Sequence, residues 1–369
     1  MKRNVYLSMK PLEEARALFL ERFGAGRRTT CEELPVEAAQ GRVTAEPIFA
    51  RLSAPTEHAA AMDGIAVRAA ETYGTTERTP RTLELGRDAV WINTGQTLPE
   101  GFDAVIMVEN LHQEDERHVE LRAPAHPWQH VRKVGEDIVA TQLLLPRDHR
   151  IRPQDLGALI SGGVFSIPVW RRPVVAILPT GSELVRHQDL KDPARLEPGR
   201  LIEYNSVLLS GLVRECGATP VVYDITPDQE EKVRKSLADA VASEADIVLV
   251  NAGSSAGSKD YTFHAVQELG EVLVHGVAMM PGKPTILGEV QGKPVVGNPG
   301  YTVSAMLSFE QFVRPLLLGL QGLPSRPPQC IRVRPSRDIP SKPGIEEFVR
   351  VNIGRIGDRA VATPLPRAA

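Results

Sequence analysis

The chain is expected to fold as a multidomain α/β protein. It should contain an α/β nucleotide-binding domain with a parallel sheet, a β-rich inserted domain, a small helical and mixed linking domain, and a short C-terminal β domain. Three observations predict this. From Arg172 onward, short β-branched runs alternate with amphipathic helices, and repeated βα units make a parallel sheet covered on both faces. From Thr44 to about Pro146 the apolar runs are short and split by Pro and Gly, the texture of a β-rich insertion. After Pro324 the pattern is β again. The boundaries that follow are 1–45 with 147–171 for the linking domain, 46–146 for the insertion, 172–326 for the α/β domain and 327–369 for the tail.

Residues Leu12 to Phe23 open the chain as an amphipathic helix, with Leu12, Ala15, Leu18, Phe19 and Phe23 on one stripe. In the insertion, Trp91 to Thr94 and Ala104 to Glu109 read as strands. Ile151 to Trp170 gives a short helix, a Gly-Gly break and a strand that returns the chain to the linking domain. Val174 to Leu178 is a strand closed by Pro179-Thr180-Gly181. Asn205 is placed to cap a helix carrying Leu208, Leu212 and Cys216, and Pro220 to Tyr223 is the next strand. Asp228 with Glu231 forms a capping-box start for a helix carrying Val233, Leu237 and Val241. Asp246 to Val250 is short, apolar and β-branched, as a central parallel strand should be. Glu271 to Met280 is a further strand, and Val303 to Leu320 a helix with Met306, Leu307, Phe312, Val313, Leu316 and Leu317 inward. The tail offers Cys330 to Arg334, Glu347 to Ile353 and Arg359 to Thr363, the last two in a hairpin around Gly354 to Asp358.

Composition narrows the function. Apolar content of 42% and charged content of 24% describe a soluble globular protein. A net charge of −3 leaves no basic footprint, which argues against nucleic acid and requires that any anion be held by local groups. Cys31, Cys216 and Cys330 lie too far apart to suggest a zinc site or a disulfide framework, so a reducing cytoplasm is the expected compartment. The N-terminus has no apolar signal core, and no run is read as approaching the roughly 18 apolar residues of a membrane span.

The most informative stretch is the loop after Val250. Gly253, Ser254, Ser255, Gly257 and Ser258 carry almost no side chain that would block close approach. At the carboxyl end of a strand, with a helix opening at Asp260, such a loop turns N–H groups, hydroxyls and a helix N-terminus toward one point, which suits phosphate. A plain flexible connection would have the same composition. Other clusters have bland readings of their own. Asp63-Gly64 fits a hairpin turn, and Thr94-Gly95 a strand-closing turn. Arg132 to Asp137 fits a solvated loop, Glu183 after Gly181 a helix-dipole partner, and Asp260 an N-cap. Pro281-Gly282-Lys283-Pro284 makes a rigid turn presenting one ammonium, and Pro299 followed by Ser304 opens another helix.

Their position gives them weight. Several fall at carboxyl ends of strands in one sheet, where they should converge. Glu183 and Asp260 beside a phosphate loop would repel the phosphate unless a divalent cation lay between them. Hard oxygen ligands of that kind suit Mg²⁺. Lys283 and the helix ends would then neutralise oxyanion charge.

In order and spacing these clusters resemble the molybdopterin molybdenumtransferase family, the molybdenum insertases that include the E domain of gephyrin. The match runs from about Met9 onward. It includes AAMDGIAV at Ala60 to Val67, INTGQTLPEGFDAV at Ile92 to Val105, RKVGEDI at Arg132 to Ile138 and PTGSEL at Pro179 to Leu184. NAGSSAGSKDY at Asn251 to Tyr261, PGKP at Pro281 to Pro284 and IPSKPGIEEFVRV at Ile339 to Val351 complete it. The resemblance implies an α/β domain of the molybdopterin-binding type. It also implies Mg²⁺-dependent insertion of molybdate into adenylylated molybdopterin with release of AMP, and a cytoplasmic homodimer with a site shared between subunits. Contact with the molybdopterin adenylyltransferase is implied as well. Carried over by position, Asp63, Thr94, Asp137, Glu183 and Asp260 are the expected functional acids and hydroxyl, with Glu183 and Asp260 on the metal. Lys283 and Ser304 are expected to contact oxyanion or molybdate. The remaining expected substrate contacts are Gly181, the Gly253 to Ser258 loop, and Pro281, Gly282, Pro284 and Pro299.

The chain departs from the family pattern at Ser182, where Asp is usual, at Glu203-Tyr204, at Ala252 in place of a glycine, and at Thr302 in place of a proline. The resemblance places Ala369 about midway through the family's fourth domain. A molybdopterin-binding scaffold without turnover, and a molybdopterin adenylyltransferase, are the competing functions. Retention of Asp63, Glu183 and Asp260 favours the insertase.

Overall fold

The computed structural model describes residues 9–24, 26–192, 194, 196–251, 260–325 and 330–365. The chain divides into two compact units, Glu32–Val169 and a unit formed by Met1–Cys31 with Trp170–Ala369. This division cuts the chain elsewhere than the expected boundaries. Residues up to 31 go with the α/β unit because the Leu12–Gly24 helix buries Leu12, Ala15, Phe19 and Phe23 in that unit's core. Leu18, expected on the same stripe, is 37% exposed.

The α/β unit is built on a six-stranded sheet. Its spatial order is Thr219–Val222, Val174–Pro179, Ile247–Asn251, Lys293–Asn298, Ile286–Val290 and Glu271–His275. The first four run parallel, and Ile286–Val290 is antiparallel to both of its neighbours. Side chains alternate between two cores, as a strand's period of two requires. Val175, Ile177, Ile247, Leu249 and Val296 face the layer made by Leu12–Gly24, Asn205–Glu215 and the long C-terminal helix. Ala176, Leu178, Val248, Val250 and Val295 face Glu230–Ala242 and Tyr261–Leu269. The Ile286–Asn298 hairpin turns at Gln291 and Gly292, both at positive φ (51° and 78°), the pairing a tight two-residue turn needs.

Several local expectations are corrected. Asn205 does not cap its helix: its side-chain amide donates to Gly300 O at 2.7 Å, and Glu203 accepts from Ser206 N at 2.9 Å instead. Leu209, Val213 and Cys216 are the buried stripe of that helix, with Leu208 and Leu212 only partly buried. The Asp228–Glu231 capping box does not form, since Asp228 is drawn to Ser182. Glu271 to Met280 is two strands, Glu271–His275 and Met279–Met280, divided at Gly276. Cys330 to Arg334 is strand only from Arg334, and the terminal hairpin Val351–Ile356 with Arg359–Pro364 turns at Gly357-Asp358.

The Thr302–Leu320 helix is long and apolar enough to cross a membrane, contrary to the reading that no such run exists. In the fold it is a core helix, with Phe309, Phe312, Val313, Leu316 and Leu317 buried. A π-helical turn at Phe309–Val313 shifts its face, leaving Met306 exposed and Leu307 half-buried.

The Glu32–Val169 unit contains two three-stranded antiparallel sheets. One has Gly64–Val67 between Ala89–Ile92 and Ala104–Met107, and the other has His118–Leu121 between Arg81–Glu84 and Leu111–Gln113. Ile65, Val67, Leu83, Val119 and Leu121 fill the core they share. A separate core gathers Val36, Ile48, Leu145, Ile151, Leu159, Ile167 and Val169 around the Pro153–Ser161 helix. Asp63-Gly64 is not a hairpin turn: Gly64 is the first residue of the central strand, paired with Ile92 on one side and Met107 on the other.

Candidate functional site

In the α/β unit the strand order reverses at Val174–Pro179. The chain passes from it to the edge strand Thr219–Val222, then returns to Ile247–Asn251 on the other side. Ligands of open α/β sheets bind in the crevice at such a switch point, outside the strand carboxyl ends. Register brings the relevant ends level, with Pro179 opposite Asn251 and Asn251 opposite Asn298.

This end of the sheet is polar and buried. Thr180, Asn251, Asp260, Thr262, Thr285, Asn298 and Ser304 are all at most 6% exposed. Asn251 Oδ1 and Thr262 Oγ1 find no hydrogen-bond partner among the described residues. Buried polar atoms are almost always satisfied, so orphaned ones at a strand end ask for a ligand or water.

Gly181 follows directly, with φ of 151° and its N–H bonded to Thr226 O at 3.0 Å. A Cβ there would lie 2.8 Å from Glu183 Oε2, so the carboxylate folds back over the glycine, and the positive φ is what favours glycine at this position. Glu183 is half-buried, and its carboxylate has no hydrogen-bond partner among the described residues. The expected helix after Glu183 is absent. Leu184–Arg186 is a short strand pairing in parallel with Leu201–Glu203, so Glu183 is not a helix-dipole partner. Ser182 accepts from Asp228 N at 2.9 Å and donates its own N–H to the Asp228 carboxylate at 3.2 Å.

Asp260 is 5% exposed. Its Oδ1 accepts from Phe263 N at 3.1 Å, capping the Tyr261–Leu269 helix, and its Oδ2 lies 3.3 Å from His275 Nε2. The His275 ring stacks on Phe263, with centroids 4.2 Å apart. Burial pushes the Asp260 carboxyl up, and the Phe263 N–H and His275 pull it part of the way back. The sequence does not single out His275, because the run around it reads as one uninterrupted strand. The break at Gly276 was the available signal.

Ile286 pairs with Gly297, which sets the Pro281-Gly282-Lys283-Pro284 turn at the same end of the sheet as Asn298. Lys283 is exposed there, whereas Pro299 and Ser304 are buried. Gly253, Ser254, Ser255, Gly257 and Ser258 lie outside the described residues.

In the Glu32–Val169 unit, Asp63 Oδ1 accepts from Thr94 N at 2.7 Å. That N–H holds the exposed Asp63 carboxyl below the usual carboxylate range. Asp137 is exposed and ion-paired with Arg132. The structure therefore brings Asp63 to Thr94, and separately gathers Glu183, Asp260, Ser304 and the Lys283 turn at one end of the sheet.

Residues 10–163 match the MoeA N-terminal region (domain I and II), and residues 176–319 match a probable molybdopterin binding domain. The chain is 32% identical to a molybdopterin biosynthesis protein of Methanocaldococcus jannaschii, over 94% of this chain and 87% of that one. It is 34% identical to molybdopterin molybdenumtransferase 2 of Mycobacterium tuberculosis, over 86% of this chain and 81% of that one. Among solved structures, a molybdopterin biosynthesis MoeA protein from Pyrococcus horikoshii aligns with a TM-score of 0.80 at 31% identity, covering 97% of this chain and 90% of that one.

Proposed function

The chain belongs to the MoeA family of molybdopterin molybdenumtransferases, transferases of molybdenum cofactor biosynthesis, and from that premise we propose that it inserts molybdenum from molybdate into adenylylated molybdopterin, with release of AMP and dependence on Mg²⁺. One observation carries the reading: buried polar side chains, two with orphaned atoms, gather at the switch-point end of the parallel sheet. A site of that kind suits a polyanionic substrate on a protein of net charge −3, because local N–H groups and hydroxyls do the holding.

In this reading Gly181 and the Gly253 to Ser258 loop admit the phosphates. Lys283 supplies a cation at the rim, and the Ser304 hydroxyl contacts an oxyanion. Asp63 and Thr94 form a rigid acid–amide pair that meets the site of a second subunit in a homodimer. The expected compartment is the cytoplasm.

Glu183 and Asp260 fit Mg²⁺ by donor type, since they bring hard carboxylate oxygens to neighbouring strand ends. Among the described residues no three His, Cys, Asp or Glu side chains converge as a metal cluster. Two carboxylates completed by substrate phosphate are a usual Mg²⁺ arrangement. When bound, the ion would supply charge to offset the phosphates. Glu183, with no partner of its own, is free to turn toward it, and Asp260 would give up His275 as the partner of Oδ2.

The test is AMP release from adenylylated molybdopterin by the purified protein. Release that requires both molybdate and Mg²⁺ supports the insertase. Tight binding of the substrate without release would instead favour a scaffold.

A further inference from the structure

The insertase reading leaves Trp128 unused, although its loop, which leads into the Val131–Arg132 strand, is hydrogen-bonded through His130 to Ala61, two residues before Asp63. Its backbone is in the left-handed region, with φ of 65°, and His130 follows at 49°. A bulky side chain is a genuine outlier there, and such strain persists only where the surroundings hold it in place. They do so here. Trp128 N donates to Asp103 O at 2.7 Å, Val105 N donates to Gln129 O at 2.9 Å, and Ala61 N donates to His130 O at 2.8 Å. That last bond fixes the loop two residues from Asp63, whose carboxylate holds Thr94 N.

Trp128 is nonetheless 40% exposed. The His58 ring packs 4.7 Å away at a tilt of 53°, itself fixed because its Nδ1 accepts from Val134 N at 3.1 Å. Lys133 carries its ammonium 5.3 Å from the indole centroid, is exposed, and makes no ion pair among the described residues. An exposed lysine can swing aside without breaking a bridge. The arrangement is an aromatic plate on a hydrogen-bonded backbone, supported by a second ring and flanked by an exposed cation.

We infer that Trp128 is a stacking platform for a planar fused heterocycle bearing phosphate, with Lys133 as its counter-charge. The proposal rests on the insertase reading, whose substrate carries two such rings, the adenine and the pterin. Indole stacks on either through their π-faces, and the ammonium meets the phosphate.

The test titrates AMP and a pterin monophosphate into the full-length protein, reading affinity by calorimetry and indole emission by fluorescence. Trp128→Gly should weaken the stacked probe about tenfold without lowering the melting temperature, since glycine adopts positive φ readily. Trp128→Phe should keep affinity within about threefold and lose the ligand-dependent quenching. Lys133→Gln should weaken AMP but not adenosine, or the phosphorylated pterin but not the free one. The probe affected identifies the ring that stacks. Equal affinities of wild type and Trp128→Gly for both probes would overturn the platform and leave the insertase reading intact. If neither probe binds the wild type, the platform falls, and AMP release from adenylylated molybdopterin alone decides the insertase reading.

Discussion

Asp260 does two jobs that single substitutions can separate. As a cap it serves the helix through Phe263 N, and as a buried acid it faces His275. Asparagine is as good a cap as aspartate, so Asp260→Asn should melt within a few degrees of wild type, whereas Asp260→Ala should lose about 1 kcal/mol. If the acid is a metal ligand, both variants lose AMP release. A fully active Asp260→Asn protein would show that capping is the whole of its role. Asp155 is a purely structural counterpart. Burial would raise its carboxyl, but the Arg152 guanidinium and His149, 2.7 Å away, outweigh that and hold it well below the usual carboxylate range. A depressed folded value stabilises the native state above the ordinary value of about 4, and the contribution is lost as pH falls through that value toward the folded one. Asp155→Asn should therefore cost about 1–3 kcal/mol at pH 7. The gap from wild type should begin to narrow as pH falls below about 4 and close only as pH approaches the much lower folded value; a gap independent of pH in thermal melts would refute the assignment.

At the scale of elements, packing decides where short motifs end up. Gly64 is in the central strand of its sheet, and a Cβ there would stand 1.9 Å from Ile106 O. Backbone cannot yield as a flexible side chain does, so Gly64→Ala should destabilise the protein by about 1–3 kcal/mol or more. It should also displace Asp63 from Thr94. Chemical denaturation would measure the first effect and the Asp63 titration the second. An unchanged midpoint would mean that the strand tolerates the methyl group. Helix starts were the least legible elements. Asn205 and Asp228 are both favoured cap residues, yet each found a partner elsewhere, Gly300 O for one and Ser182 for the other. Local propensity is a preference of the order of 1 kcal/mol, and a tertiary hydrogen bond competes on equal terms.

For the whole molecule, the proposed homodimer makes a prediction that no single chain could satisfy. Asp63→Ala and Glu183→Ala should each abolish AMP release alone. Heterodimers of the two should recover part of it, because one of their two shared sites keeps both acids. Absence of recovery after verified subunit exchange would place both acids in a site within one chain. The long apolar helix belongs at this scale too. Its composition suits a membrane span, yet half of that stretch is buried inside the unit, where Phe312 meets Phe19 edge-on at 6.2 Å. Only the presence of another apolar helix to pack against decides between those fates.

The sequence by itself determined the parallel strands Val174–Pro179, Thr219–Val222 and Ile247–Asn251, the helices over both faces and the turn residues at the strand carboxyl ends, because these depend on periodicity and on glycine and proline chemistry local to each segment; it did not show the antiparallel Ile286–Asn298 hairpin that makes the sheet mixed. It also marked Asp63, Thr94, Glu183 and Asp260 as a set through their order and spacing. Tertiary structure alone decided what each of them touches. His275 reaches Asp260 across fifteen residues of chain, Ser182 finds Asp228 across forty-six, and the first helix packs in the α/β core rather than with the segment that follows it. Contacts of that separation are set by which surfaces pack and by register between distant strands. Neither leaves a trace in the local pattern of residues.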